Sequence, residues 1–178
     1  MGKITRRSVL WAIVFFWMIV IFCFSAQPAP ESARLSGGIT EFVVSSIVSN
    51  FDNLTRYEQH VITRDASFII RKAAHMSIFA ILGLFTMLAV NQTAKTVTLQ
   101  KMQKKQTQSL IALGIGILYA ISDEFHQRFV PGRSCELRDV LIDVSGACVG
   151  IAIAWMVLHT RTDRIKHKTP AGHNKNIA

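Results

Sequence analysis

Four runs of apolar residues organise the chain: Val9–Ser25, Ala73–Val90, Ser109–Ile121 and Val140–Leu158. The polar segments between them hold nearly all the charge. Crossing about 30 Å of hydrocarbon takes about 20 helical residues at about 1.5 Å each. Three of the runs approach that length. The third has only 13 residues, and it spans a bilayer only if its helix continues through Ser122–Phe129 and sets those polar groups at the membrane surface. The pattern predicts an all-α membrane protein with four transmembrane helices, residues 1–158 forming one domain.

Segment 26–65 is the longest stretch between runs. It opens Gln27-Pro28-Ala29-Pro30 and contains Gly37-Gly38, so its start reads as a loop. From Thr40 onward, Phe42, Val43, Ser46, Ile47, Asn50 and Phe51 recur at helical spacing, predicting a short amphipathic helix. Such a helix lies on the membrane interface or packs on the ends of the spans. Asp65 is the expected N-cap of the second long helix. Residues 159–178 are basic and polar, with Pro170 and Gly172, and read as a disordered tail. His159, His167 and His173 there are not at metal-ligand spacing.

Composition narrows the class. With 178 residues, 50% of them hydrophobic and 17% charged, the chain is too apolar for a disordered protein. Three cysteines do not make a disulfide framework. A net charge of +9 suits a nucleic-acid binder, but the apolar runs do not.

The placement of that charge sets the topology instead. Lys3, Arg6 and Arg7 precede the first run; Lys95, Lys101, Lys104 and Lys105 lie between the second and third; Arg161, Arg164, Lys166, Lys168 and Lys175 follow the fourth. Only Asp163 opposes them, whereas basic and acidic residues nearly balance on the other side. Basic excess marks the cytoplasmic face, so both termini and the Lys-rich loop are expected inside. Thr5-Arg6-Arg7-Ser8-Val9-Leu10 looks like a twin-arginine export signal. The apolar run is nevertheless longer than a signal-peptide core, and Phe24 is too bulky before a cut after Ala26, so an uncleaved anchor is expected.

The chemistry concentrates where the bilayer ends. Arg71-Lys72 open the second span, with His75 one turn deeper. The third span ends Ser122-Asp123-Glu124-Phe125-His126-Gln127-Arg128. After Pro131-Gly132-Arg133, the pair Arg138-Asp139 leads to Asp143 one turn into the fourth span. Topology brings these groups to one outer face. Ionisable groups at membrane depth cost about 2.5–3.5 kcal/mol each, so they face a protein interior or a wet cavity. Helical spacing pairs Arg71 with His75, Asp139 with Asp143, Asp123 with Gln127 and Glu124 with Arg128. The plainer alternatives are helix glue, a surface Glu124–Arg128 pair and Asp139 as a helix cap. Gly146-x-x-x-Gly150 predicts close helix packing. Cys23 and Cys135 fall on the same side, where pairing is open but no redox motif exists.

Arg71-Lys72-x-x-His75, Ser122-Asp123-Glu124-x-x-Gln127-x-Phe129-x-Pro131-Gly132-Arg133 and Asp139-x-x-x-Asp143-x-x-Gly146-x-x-x-Gly150 together resemble the VanZ-like family of membrane proteins. Phe22-x-Phe24-Ser25-x-Gln27 fits as well. Phe79 stands where that family usually has tyrosine, and Asp143 where it usually has asparagine. The resemblance implies a small bacterial envelope protein, with the founding member linked to teicoplanin resistance. It implies no particular reaction.

Three functions fit these residues. In the first, Arg71, Lys72, Arg133 and Arg138 hold the phosphate of an anionic lipid headgroup or lipid-linked cell-wall precursor. Gln127, Asp139, Asp143, Asp123, Glu124 and His75 then orient the cations or the headgroup. In the second, His75 is a general acid or base, with Asp123 and Glu124 as catalytic partners on such a headgroup. In the third, the chain is an accessory subunit or homo-oligomer locked through the polar cluster and the glycine face. No cofactor is predicted, although the carboxylates are of the type that suits a divalent cation. Membrane lipids are the expected partners, nucleic acid is not, and the expected location is the bacterial plasma membrane.

Overall fold

The computed structural model describes residues 5–97 and 100–168. In chain order the helices are α1 (Arg6–Ser25), α2 (Ala29–Ile47), α3 (Arg56–Ala94), α4 (Gln100–Gln103), α5 (Lys105–Gln127) and α6 (Leu137–Lys168), with a 3-10 turn at Phe51–Asn53 before α3. Among the described residues there is no strand. Four helices, α1, α3, α5 and α6, are long and apolar enough to cross a membrane. The third apolar run does reach full length, because α5 continues through Ser122 and Asp123 to Gln127.

Two boundaries differ from the sequence reading. α3 starts at Arg56 rather than after Asp65, because Thr55 and Glu58 form a reciprocal capping box. The Thr55 hydroxyl accepts from the Glu58 N–H, and the Glu58 carboxylate accepts from the Thr55 N–H at 2.9 Å. Asp65 is an exposed mid-helix residue paired with Arg64 at 3.1 Å. At 39 residues, α3 is about 58 Å long, nearly twice the thickness of the hydrocarbon core. Its first half overhangs the bundle.

α2 starts at Ala29, ahead of Gly37-Gly38, which are helical rather than loop. Prolines at the helix start pre-set its first turn. Thr40 and Val44 are buried, and this packing on the overhang of α3 carries the helix across two glycines. It ends at Ile47, followed by Asn50 in the left-handed region at φ 63°. At the other terminus, α6 runs past the expected boundary at Leu158 as far as Lys168. Pro170, Gly172, His173 and Lys175, assigned to the tail, lie outside the described residues, as does Lys3.

α3 is the central helix and packs against α1, α2, α5 and α6. Its closest neighbour is α6, and glycines make that approach. A Cβ on Gly146 would collide with the Met76 carbonyl, one on Gly150 with the Ala80 carbonyl, and one on Gly83 with the Ala147 carbonyl. The Gly-x-x-x-Gly motif is therefore used within the chain. Val14 and Ile21 of α1 pack with Phe79, Leu82 and Ala120, while Met87, Val90, Ala112, Ile151 and Ala154 form a second cluster. Phe15, Phe16, Ile19 and Leu118 point outward, as expected where lipid replaces water.

Polar anchors stitch the helices at chosen levels. The Trp17 indole donates to the Ile78 carbonyl at 2.8 Å, and the Trp11 indole to Thr93 Oγ1 at 3.0 Å. At the Lys-rich end a buried amide pair, Asn91 Nδ2 to Gln108 Oε1 at 2.8 Å, joins α3 to α5. Cys23, Cys135 and Cys148 are all free.

Candidate functional site

The opposite end of the bundle gathers Arg71, Lys72, His75, Asp123, Glu124, Gln127, Arg133, Arg138, Asp139 and Asp143 in two layers, whereas Ser122 and Arg128 are exposed. The inner layer is acidic: Asp123, Glu124 and Asp143 are almost fully buried. Asp123 Oδ2 accepts from Ser25 Oγ at 2.7 Å and from Gln127 Nε2 at 3.0 Å, which ties α1 to α5. Glu124 Oε1 accepts the backbone N–H of Glu136 at 2.6 Å, which fixes the turn into α6. Glu124 thus points inward and Arg128 outward, so they are not the surface pair that their spacing allowed. Among the described residues, Oδ1 of Asp123, Oε2 of Glu124 and Oδ1 of Asp143 are buried without a hydrogen-bond partner.

The outer layer is basic and lines a cavity of about 460 Å³. Arg71, Lys72 and His75 come from α3, Arg138 and Asp139 from α6, and Gln127 and Arg133 from the end of α5 and the turn that follows. Phe24, Ile39, Phe68 and Ile78 supply an apolar wall. His75 bridges the layers: it lines the cavity while its Nδ1 lies 3.7 Å from Asp143 Oδ1.

The cations of this lining are not equivalent. Lys72 Nζ pairs with Asp139 Oδ2 at 2.5 Å. Arg138 pairs with Glu136 at 2.8 Å and lies 5.3 Å from the Phe68 ring centroid, with Lys72 at 5.4 Å from the same ring. Arg71 and Arg133 make no ion pair among the described residues. Arg71 Nε donates to the Ser67 carbonyl at 3.3 Å. Arg133 is held by neutral oxygens, donating to the Gln27 carbonyl at 3.0 Å and to Gln127 Oε1 at 3.1 Å. Burial holds the Arg133 guanidinium below its ordinary value; Asp123 pulls it back up and the nearby charge of Arg71 pushes it down. Two guanidiniums thus share one cavity and repel each other there.

Gly132 lets the α5–α6 turn close. It adopts φ 75°, and the neighbouring Pro131 carbonyl accepts the Ala29 N–H at 3.2 Å, pinning the start of α2 to that turn. His126 stacks on Phe22 at 4.4 Å between centroids, and Phe125 and Phe129 are exposed as an edge-to-face pair. Phe79, at the family's usual tyrosine position, is fully buried beside Tyr119 and does not line the cavity. Among the described residues no three His, Cys, Asp or Glu side chains are grouped so as to hold a metal ion.

Several contributors were not singled out from the sequence. Ser25 and Gln27 belong to the end of the first span, and a signal was present there in Phe22-x-Phe24-Ser25-x-Gln27. Ile39, Phe68 and Glu136 carried none, because each reaches the site through the packing of α2, the overhang of α3 and the turn before α6.

Fold and site together define a multi-pass α-helical membrane protein with a basic cavity backed by buried acids at one end. A sequence model of the VanZ/LLP1 family matches residues 10–158, and the chain belongs to that family. Neither the curated proteins nor the solved structures compared with the chain include a match.

Proposed function

We propose that this protein binds the phosphate of an anionic envelope lipid or lipid-linked cell-wall precursor at the outer face of the bacterial plasma membrane. The carrying observation is that Arg71 and Arg133 face one cavity with no carboxylate paired to either among the described residues. Asp123, Glu124 and Asp139 act on Arg133 only at a distance, so two like charges share a partly buried site without a direct ion pair, and guanidinium forks match phosphate oxygens. Lys72 and Arg138, already paired with Asp139 and Glu136, shape the rim. The basic bias of the opposite end supports an outward-facing cavity. Through the founder's link to teicoplanin, glycopeptide susceptibility is the physiological readout of such binding.

The test is thermal stability of the purified protein with phosphatidylglycerol, a lipid-linked wall precursor or phosphatidylcholine. An anionic ligand should stabilise the wild type, and Arg71→Gln and Arg133→Gln should each lose that stabilisation. Equal responses to phosphatidylcholine and the anionic ligands would overturn the reading.

A second reading, an enzyme acting on the bound headgroup, is favoured by one observation. His75 is the histidine of the cavity wall and has a buried carboxylate 3.7 Å behind its Nδ1, outside hydrogen-bond reach in this structure but near enough to orient the imidazole once the two close by about half an ångström. Turnover of a lipid or precursor by the wild type, abolished in His75→Gln with binding retained, would support it.

A further inference from the structure

We infer that the ligand of this cavity is a membrane-resident glycerophospholipid that enters sideways, its phosphate on Arg71 and Arg133 and one acyl chain on a seat made by Ile39 of α2 and Phe68 of α3. This rests on the phosphate-binding reading above and adds the apolar half of the ligand.

Ile39 and Phe68 line the cavity and are also exposed, at 61% and 41%. The apolar wall of the cavity therefore continues onto the outside of the protein at the junction of α2 and α3. A site for a soluble phosphate ester needs no such wall. Phe42 and Ile69, exposed at 73% and 67% on the same two helices, sit near these seat residues in the chain and extend the apolar character of both. The Phe68 ring marks the threshold. Lys72 and Arg138 lie over it, so cations and apolar surface meet at one side chain. Phe68 precedes Lys72 by one turn of α3, on the side of the cations away from the hydrocarbon, so the seated lipid is one drawn partly out of the bilayer, with its phosphate on the cations and one chain beyond them on the overhang.

The acyl seat and the phosphate site are separable by experiment. Full-length protein would be titrated with dioleoylphosphatidylglycerol, phosphatidylcholine, glycerol 3-phosphate and inorganic phosphate, with binding read by lipid retention in native mass spectrometry and by thermal shift. The expected result is retention of phosphatidylglycerol but not of glycerol 3-phosphate or inorganic phosphate at equal concentration. Ile39→Asn and Phe68→Ser should each weaken phosphatidylglycerol binding about tenfold or more, the scale of losing contact with two or more methylenes. Phe68→Leu should preserve it, which separates loss of apolar surface from loss of the ring.

If glycerol 3-phosphate binds as tightly as the lipid, or both seat variants bind lipid like wild type, the acyl seat is wrong while the phosphate site stands. If the wild type retains neither lipid nor free phosphate, the phosphate-binding reading fails too. A benzophenone side chain at position 39 gives an independent check. It should crosslink to lipid acyl chains in nanodiscs of phosphatidylglycerol, and its failure to do so while a control on Leu118 crosslinks would also overturn the seat.

Discussion

Ser25 Oγ donates a 2.7 Å hydrogen bond to Oδ2 of Asp123, joining the end of the first span to a carboxylate 98 positions later in the chain. The same oxygen accepts from Gln127, whose own Oε1 accepts from Arg133. A continuous relay thus runs from α1 through the buried acid to the guanidinium in the cavity wall. The acids behind the wall hold the cations' supports rather than the cations themselves. This leaves positive charge directed at the cavity.

Breaking the first link of that relay should cost stability. Ser25→Ala removes a donor to a buried carboxylate, whose other oxygen already lacks a partner among the described residues. A hydrogen bond to a charged group is worth about 1.5–3 kcal/mol, so thermal unfolding in detergent should drop by several degrees. Ser25→Thr should recover most of the loss. Wild-type stability in Ser25→Ala would show that Gln127 alone satisfies Asp123.

The α3–α6 contact yields a paired prediction. Gly150 abuts the Ala80 backbone, whereas nothing lies within 4 Å of a Cβ built on Gly114. Gly150→Ala should destabilise by at least about 1–3 kcal/mol through overpacking. Gly114→Ala should be neutral or gain up to about 1 kcal/mol in helix propensity. Chromatography of both should show one assembly state, because the motif packs inside the chain. A well-folded Gly150→Ala with altered oligomeric state would contradict this account.

Much of this architecture is legible in the sequence, and the rest is hidden there for physical reasons. Membrane spans follow from length and hydropathy, and the cost of polar groups in lipid forces Asp123, Asp143 and His75 toward one another. Local signals competed less clearly outside the bilayer. Thr55-x-x-Glu58 spells a capping box, yet Asp65 lies nearer the apolar run and reads locally as the start of the helix. Gly37-Gly38 signals a loop locally, but the burial of Thr40 and Val44 overrides it. Ile39 and Phe68 meet only because α2 folds back on the overhang of α3, a tertiary fact that no periodicity encodes.

Arginine should matter differently at the two unpaired positions. Arg133 spends separate guanidinium nitrogens on the Gln27 carbonyl and Gln127 Oε1, a fork that an ammonium cannot reproduce. Arg71 makes one backbone contact, leaving its charge as its main contribution. Arg133→Lys should therefore lose anionic-lipid binding about as fully as Arg133→Gln, while Arg71→Lys should keep most of it. Exposed Arg128→Gln is the control and should bind like wild type. Equal tolerance of lysine at positions 71 and 133 would mean that only net charge is read.

Orientation can be tested with the protein's own thiols. Cys135 lies in the turn before α6, beside the cavity, and is exposed and free. In a Cys23→Ser, Cys148→Ser background it is the sole thiol. If both termini lie inside, a membrane-impermeant maleimide should label Cys135 in intact spheroplasts. A cysteine placed at Lys101, in the Lys-rich connection between α3 and α5, should stay unlabelled until the membrane is opened. The basic excess at that end predicts this sidedness, since lysines and arginines near short loops are retained on the cytoplasmic side. The reverse pattern would turn the cavity toward the cytoplasm. It would remove cell-wall precursors displayed outside from the candidate ligands, while leaving inner-leaflet phospholipids able to reach the same arginines.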